Sequence, residues 1–193
     1  MSTVVDAPRQ AGTVGLSRWW WLVPEAVLLL AALAAAPLSP SAQSPAQLSA
    51  DLVARSVTAI EQLSPAEHHN HGHAVDAAQT KVACVVELMG FAPADAKRAA
   101  DVTTAYTYFL CAAGAPGQPY QMSAHISGPA AVDLRQQPPL VHVPEAGAGY
   151  DQRLKAIIPV QYQDWAVKGF RDRAIPAGLI PKYNALLGVA PSP

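Results

Sequence analysis

Charge is scarce in this chain and balanced where it occurs. Lys and Arg total 13 against 14 Asp and Glu, a formal net charge of −1 over 193 residues. So neutral a chain has no electrostatic footprint for nucleic acid or for a strongly acidic partner. Linear catalytic signatures are lacking too. There is no Gly-x-Ser-x-Gly elbow, no Ser-x-x-Lys, and no Ser-His-Gly-x-Cys of the kind cell-wall transpeptidases carry. No Gly-rich loop cradles a phosphate, and no internal repeat is visible. Catalysis from this chain would need residues scattered through the fold. Lys and Ile are few beside abundant Ala and Pro, the bias of a GC-rich bacterial genome.

Cysteine is limited to Cys84 and Cys111. An even pair in an exported chain reads as a disulfide. Neither residue has a nearby histidine to make it a reactive thiolate. The bridge constrains the fold around it. If 74–90 and 93–113 were unbroken helices packed about a turn at Gly90–Pro93, Cys84 would stand about 9 Å from the turn and Cys111 about 27 Å. A disulfide tolerates a Cα separation of at most about 7 Å. Either the second segment breaks after Asp101, or the two segments cross steeply near the cysteines.

What the chain does have is a long apolar run, Trp19–Leu38, behind a tail whose basic residues are Arg9 and Arg18. This order directs a chain out of the cytoplasm. A single-pass anchor needs roughly 17–25 apolar residues, which Leu22–Leu38 just supplies. Trp19, Trp20 and Trp21 suit the interfacial aromatic belt, and Glu25 lies near the cytoplasmic end, where a carboxylate costs less than at the bilayer centre. A cleaved signal is the alternative, with Ala26–Leu38 as its core. Its Ala34-Ala35-Ala36 site is obstructed by Pro37, and a second site before Gln47 lies far from the core. The anchor is the better reading.

The expected organisation is a cytoplasmic tail at 1–18, the membrane segment at 19–38, a Pro/Ser stalk at 39–47 and one extracytoplasmic domain at 48–193. The domain reads as α+β. Leu48, Leu52, Val53, Val57, Ile60 and Leu63 form a helical stripe over 48–63, with Ser49 as N-cap. A second helix is expected over 75–89, ended by Gly90 in the left-handed conformation. A third, over 93–112, would start at Pro93 and could bend near Asp101–Thr104. A small antiparallel sheet is expected within 120–143. Tyr120, Met122, Ala124 and Ile126 alternate with polar residues, Gly128-Pro129 turns the chain, and 131–135 and 139–143 add two short strands. Short C-terminal helices cover it, the first over Tyr150–Ile158.

Four of the chain's six histidines lie in His68-His69-Asn70-His71-Gly72-His73. In extended backbone, His69, His71 and His73 project from one side, about 7 Å apart. Asp76 would be a fourth ligand, and such an N/O set suits Zn²⁺, Cu²⁺ or Ni²⁺. The plainer reading is a solvated His-rich linker at 66–73 that binds metal weakly, and no resident cofactor is expected. His125 and His142 are expected to face outward. Glu87 and Asp101 have no spacing that marks them as a catalytic carboxylate pair. Lys168–Arg173, with Tyr162 and Trp165 nearby, combines bases with aromatics and would rest on anionic lipid or a wall polymer, unless the aromatics are core and the bases merely solvated.

Together these features lead to an exported, membrane-tethered bacterial envelope protein with a non-enzymatic binding or scaffolding domain. Expected partners are the membrane, through the span, and an envelope protein or wall polymer, but not nucleic acid. The alternatives are an extracytoplasmic metal-binding protein using His68–His73 and an envelope enzyme with a non-linear site.

Overall fold

A computed structural model describes residues 42–63 and 80–190, all in the unit that begins at Ala42. The 19–38 run and the histidine cluster with Asp76 lie outside the described residues. Among the described residues no helix is long and apolar enough to cross a membrane.

The first helix, α1, spans Pro45–Glu61. It starts earlier than the apolar stripe suggests, because the end of the supposed stalk caps it. Gln47 N–H donates to Ser44 Oγ (3.3 Å), and Ser44 N–H donates to Gln47 Oε1 (3.0 Å). This reciprocal box satisfies two donors at the helix start, and Pro45 occupies a first-turn position where it wastes no N–H. The stalk therefore does not extend over 45–47, and Ser44 replaces Ser49 as the cap.

The two helices expected next are strands. β1 spans Lys81–Ala92 and β2 spans Thr104–Gly114, paired antiparallel. The cause of the misreading is a sheet covered on both faces. Val82, Cys84 and Val86 pack toward α1 with Val53, Val57 and Ile60, while Ala83 and Val85 pack against Leu179, Tyr183 and Leu187. A strand buried on both sides is apolar at consecutive positions, so the period-two signal vanishes and a short run resembles a helix. Gly90 does not end a helix. It lies in β1 beside a register shift between Leu88 and Gly90, which puts Met89 and Gly90 on the same face. Pro93 follows a cis peptide bond in the β1–β2 connection, and the break expected near Asp101 is a 3₁₀ turn at Ala99–Asp101.

β3 spans Ala124–Asp133 and β4 spans Leu140–His142, completing an antiparallel sheet in the order β1-β2-β3-β4. Tyr120–Met122 is a 3₁₀ turn rather than the start of a strand. Gly128-Pro129 does not turn the chain, and the separate strand expected at 131–135 is the end of β3. Pro129 is fully buried opposite Tyr108. Because β4 pairs only with Ala131–Asp133, no strand among the described residues flanks Pro129 on that side, a position where a missing N–H is tolerated.

The expected short C-terminal helices follow, four in number: α2 (Tyr150–Ile157), α3 (Val160–Lys168), α4 (Ala174–Ala177) and α5 (Leu179–Leu187). Leu154, Ile158 and Ala166 pack with Met89 and Tyr106 on the sheet face opposite α1. The architecture is α+β in three layers: α1, the sheet and the C-terminal helices.

Candidate functional site

Among the described residues β1 is the first strand of the sheet, and its outer edge has no strand partner there. Cys84 sits directly opposite Cys111 in register, with a Cα separation of 4.1 Å, and the two form a disulfide. Both half-cystines are buried in an apolar cluster with Ile60, Val86 and Phe109. The β-hairpin thus removes the conflict between bridge and helical pair. Outward from Cys84, its N–H donates to Glu61 Oε1 (2.7 Å) and its C=O accepts from Lys182 Nζ (2.8 Å). Glu61 and Lys182 are themselves paired at 2.6 Å. The last residue of α1 and a residue of α5 therefore close the sheet edge at the disulfide. Beside this clasp runs a groove of about 410 Å³, lined by Val53, Val57, Val85, Val86, Ala174 and Ile175. Strand geometry turns Val86's backbone groups the same way as Cys84's, toward the groove.

A second hollow, about 790 Å³, lies between the Tyr120 turn and α5, lined by Pro119, Tyr120, Ile180, Pro181 and Val189. Tyr183 is fully buried behind it and donates its hydroxyl to Gln118 O (3.1 Å). Tyr120 meets Tyr183 edge-on at 5.5 Å and stacks on His125 at 4.5 Å. Burial raises the hydroxyl pKa of both tyrosines. Ser123 Oγ lies 2.9 Å from His125 Nε2 and donates to Tyr120 O at 2.6 Å. With its proton committed to that carbonyl, the hydroxyl can only accept from His125, the reverse of what nucleophile activation needs. The pair is a surface clasp. His125 and His142 are both exposed, as expected.

Glu87 and Asp101 are not brought together as a carboxylate pair. Glu87 is buried in β1 and accepts the backbone N–H groups of Arg171 (2.8 Å) and Asp172 (3.1 Å). Asp101 pairs with Arg98 at the β1–β2 connection, and that hydrogen bond lowers its pKa. Trp165 and Tyr162 pack in the core, while Arg171 is exposed with its guanidinium 3.8 Å above the Trp165 ring.

His69, His71, His73 and Asp76 lie outside the described residues, so the fold does not bear on them. Among the described residues no group of three or more His, Cys, Asp or Glu is arranged to hold a metal ion. Sequence reasoning missed Glu61 and Lys182, since nothing local links residues so far apart in the chain. It also missed the hollow beside Tyr120, which forms only when α5 docks on the sheet. Set beside known proteins, the chain matches no family model, no curated protein and no solved structure.

Proposed function

We propose that this is an exported protein of the bacterial envelope, tethered by the 19–38 segment, whose α+β domain binds or scaffolds rather than catalyses. The observation that carries the reading is the Cys84–Cys111 disulfide, because such bridges persist in oxidising compartments and are rare in the cytosol. The apolar run with its aromatic belt supports the tether. Two apolar hollows with few polar groups, one along the β1 edge and one beside Tyr120, suit recognition of a partner better than they suit proton or acyl transfer.

The test is to express the full chain in a bacterium and fractionate it. The expected protein pellets with membranes, resists carbonate extraction and is cut by protease added to intact spheroplasts. A carbonate-soluble, protease-protected chain would contradict export and tethering together. Binding is tested by a photocrosslinking side chain at Ile175 in the β1-edge groove, with Lys155 on exposed α2 as the control position. Discrete adducts from 175 alone are expected, and equal labelling from both positions would argue against the groove.

A further inference from the structure

The geometry points to a membrane-resting surface: the outer face of α3 and the loop after it, carrying Val160, Val167, Lys168, Arg171 and Arg173, lies against anionic phospholipid headgroups. This rests on the tethered reading above and deepens it by naming what the domain touches. Val160 is 79% exposed and Val167 72%. At a spacing of seven they fall on one side of the helix, two turns or about 10 Å apart, with the exposed Asp164 between them on the same face. Beside them stand three cations. Lys168 neutralises Asp164 (2.8 Å), and the Asp172 carboxylate accepts the Ala174 N–H (2.8 Å). Arg171 and Arg173 have no ion pair within 4 Å among the described residues, and Arg171 adds a weaker pull on the Asp164 carboxylate. A cation pair flanking exposed apolar side chains on a convex helix fits the headgroup boundary of a bilayer, where apolar groups dip in and guanidinium groups meet phosphate.

The loop is also preorganised. Buried Glu87 holds the backbone N–H groups of Arg171 and Asp172, and the Arg171 side chain lies on Trp165. Tethering makes even a weak surface effective. From Leu38 to the helix cap at Ser44 there are six residues, at most about 20 Å of extended chain, so the domain is always at high local concentration against its own bilayer. Each cation near an anionic surface strengthens association about fivefold.

The unit beginning at Ala42 carries its own core, so residues 42–193 are mixed with vesicles of phosphatidylcholine alone or with added phosphatidylglycerol. The expected protein cosediments only with the mixed vesicles, and high salt releases it. Arg171→Glu/Arg173→Glu should weaken the association about twentyfold or more while unfolding as the wild type does in urea. Should that variant misfold, salt release of the wild type and the Val167→Ser variant carry the test. Absence of binding, or binding equal on neutral vesicles and insensitive to salt, would overturn the proposal. So would complete displacement from the vesicles by soluble polyphosphate at matched phosphate concentration, which would assign the surface to a free anionic polymer. No anchor is present in this experiment, so its outcome is independent of the fractionation test.

Discussion

Gly114 and Tyr183 make the tightest demand at the scale of single residues. A Cβ added to Gly114 would lie 2.1 Å from Tyr183 Oη, and one on Gly90 would lie 2.0 Å from Tyr162 Oη. Both glycines face the C-terminal helices and let a tyrosine lie flat on the sheet, which offsets the conformational cost of glycine in a strand. Gly114→Ala should therefore cost about 1–3 kcal/mol through overpacking. Tyr183→Phe removes the clashing hydroxyl, so the double variant should lose less stability in urea than the two single variants summed. Strict additivity would show that the two residues do not meet. Asp133 gives a second prediction. Its buried carboxylate accepts from Arg135 Nη2 (2.6 Å), Nε (2.9 Å) and N (3.0 Å), and these bonds hold its pKa far below the ordinary carboxylate range. The folded state keeps this group ionised where the unfolded chain protonates it. Its stabilisation is complete above about pH 4 and is lost as the pH falls below that. In urea melts across acid pH, Asp133→Asn should be less stable at neutrality and should lose less on acidification than the wild type. Little of this was legible beforehand. Gly90 was recognisable as a special position, but a flexible helix end and a close ring approach call for the same residue.

The β1 edge is where element-scale packing decides behaviour. An unpaired strand edge invites another chain, and here Glu61 and Lys182 take the outward N–H and C=O of Cys84. Their side chains are 26% and 39% exposed, so water substitutes readily and the pair itself adds at most about 1 kcal/mol. Lys182→Met should thus melt close to wild type yet self-associate at the opened edge. Sedimentation velocity reads this directly, and a variant as monomeric as the wild type at every concentration would remove the guarding role. The α+β class, α1 and the C-terminal helices were legible, because each keeps one apolar stripe and one wet face. β1 and β2 were not. Val82-Ala-Cys-Val-Val-Glu-Leu-Met is buried from both sides, and only knowledge of the two covering layers separates such a run from a helix. The cysteines held the missing information. A bridge incompatible with a helical hairpin is natural in a β-hairpin whose Cys84 and Cys111 are opposite one another.

For the molecule as a whole, the disulfide joins the edge strand β1 to β2 in the core and ties the fold to the question of compartment. Cys84→Ser should destabilise the domain by about 2–4 kcal/mol, the effect of opening a loop of this length, and chemical unfolding of the oxidised and variant proteins compares the two. Replacing His69, His71 and His73 with Ala should leave that unfolding curve unchanged if the stretch is the solvated linker its composition suggests. A large shift, or metal retained by the wild type alone in native mass spectrometry, would instead make the linker a metal site. The Cys84–Cys111 bridge was legible from an even pair of cysteines. The β1-edge groove and the hollow beside Tyr120 were not, because each is assembled from elements distant in sequence.

The most direct test of the central claim is the thiol state of the full-length chain inside a bacterium, trapped by acid and tagged with a mass-shifting maleimide under denaturing conditions. The account predicts no tag until a reductant is added and two tags afterwards. Two tags without reductant would mean that Cys84 and Cys111 stay reduced where the protein lives, and an exported, disulfide-locked domain would be the wrong description.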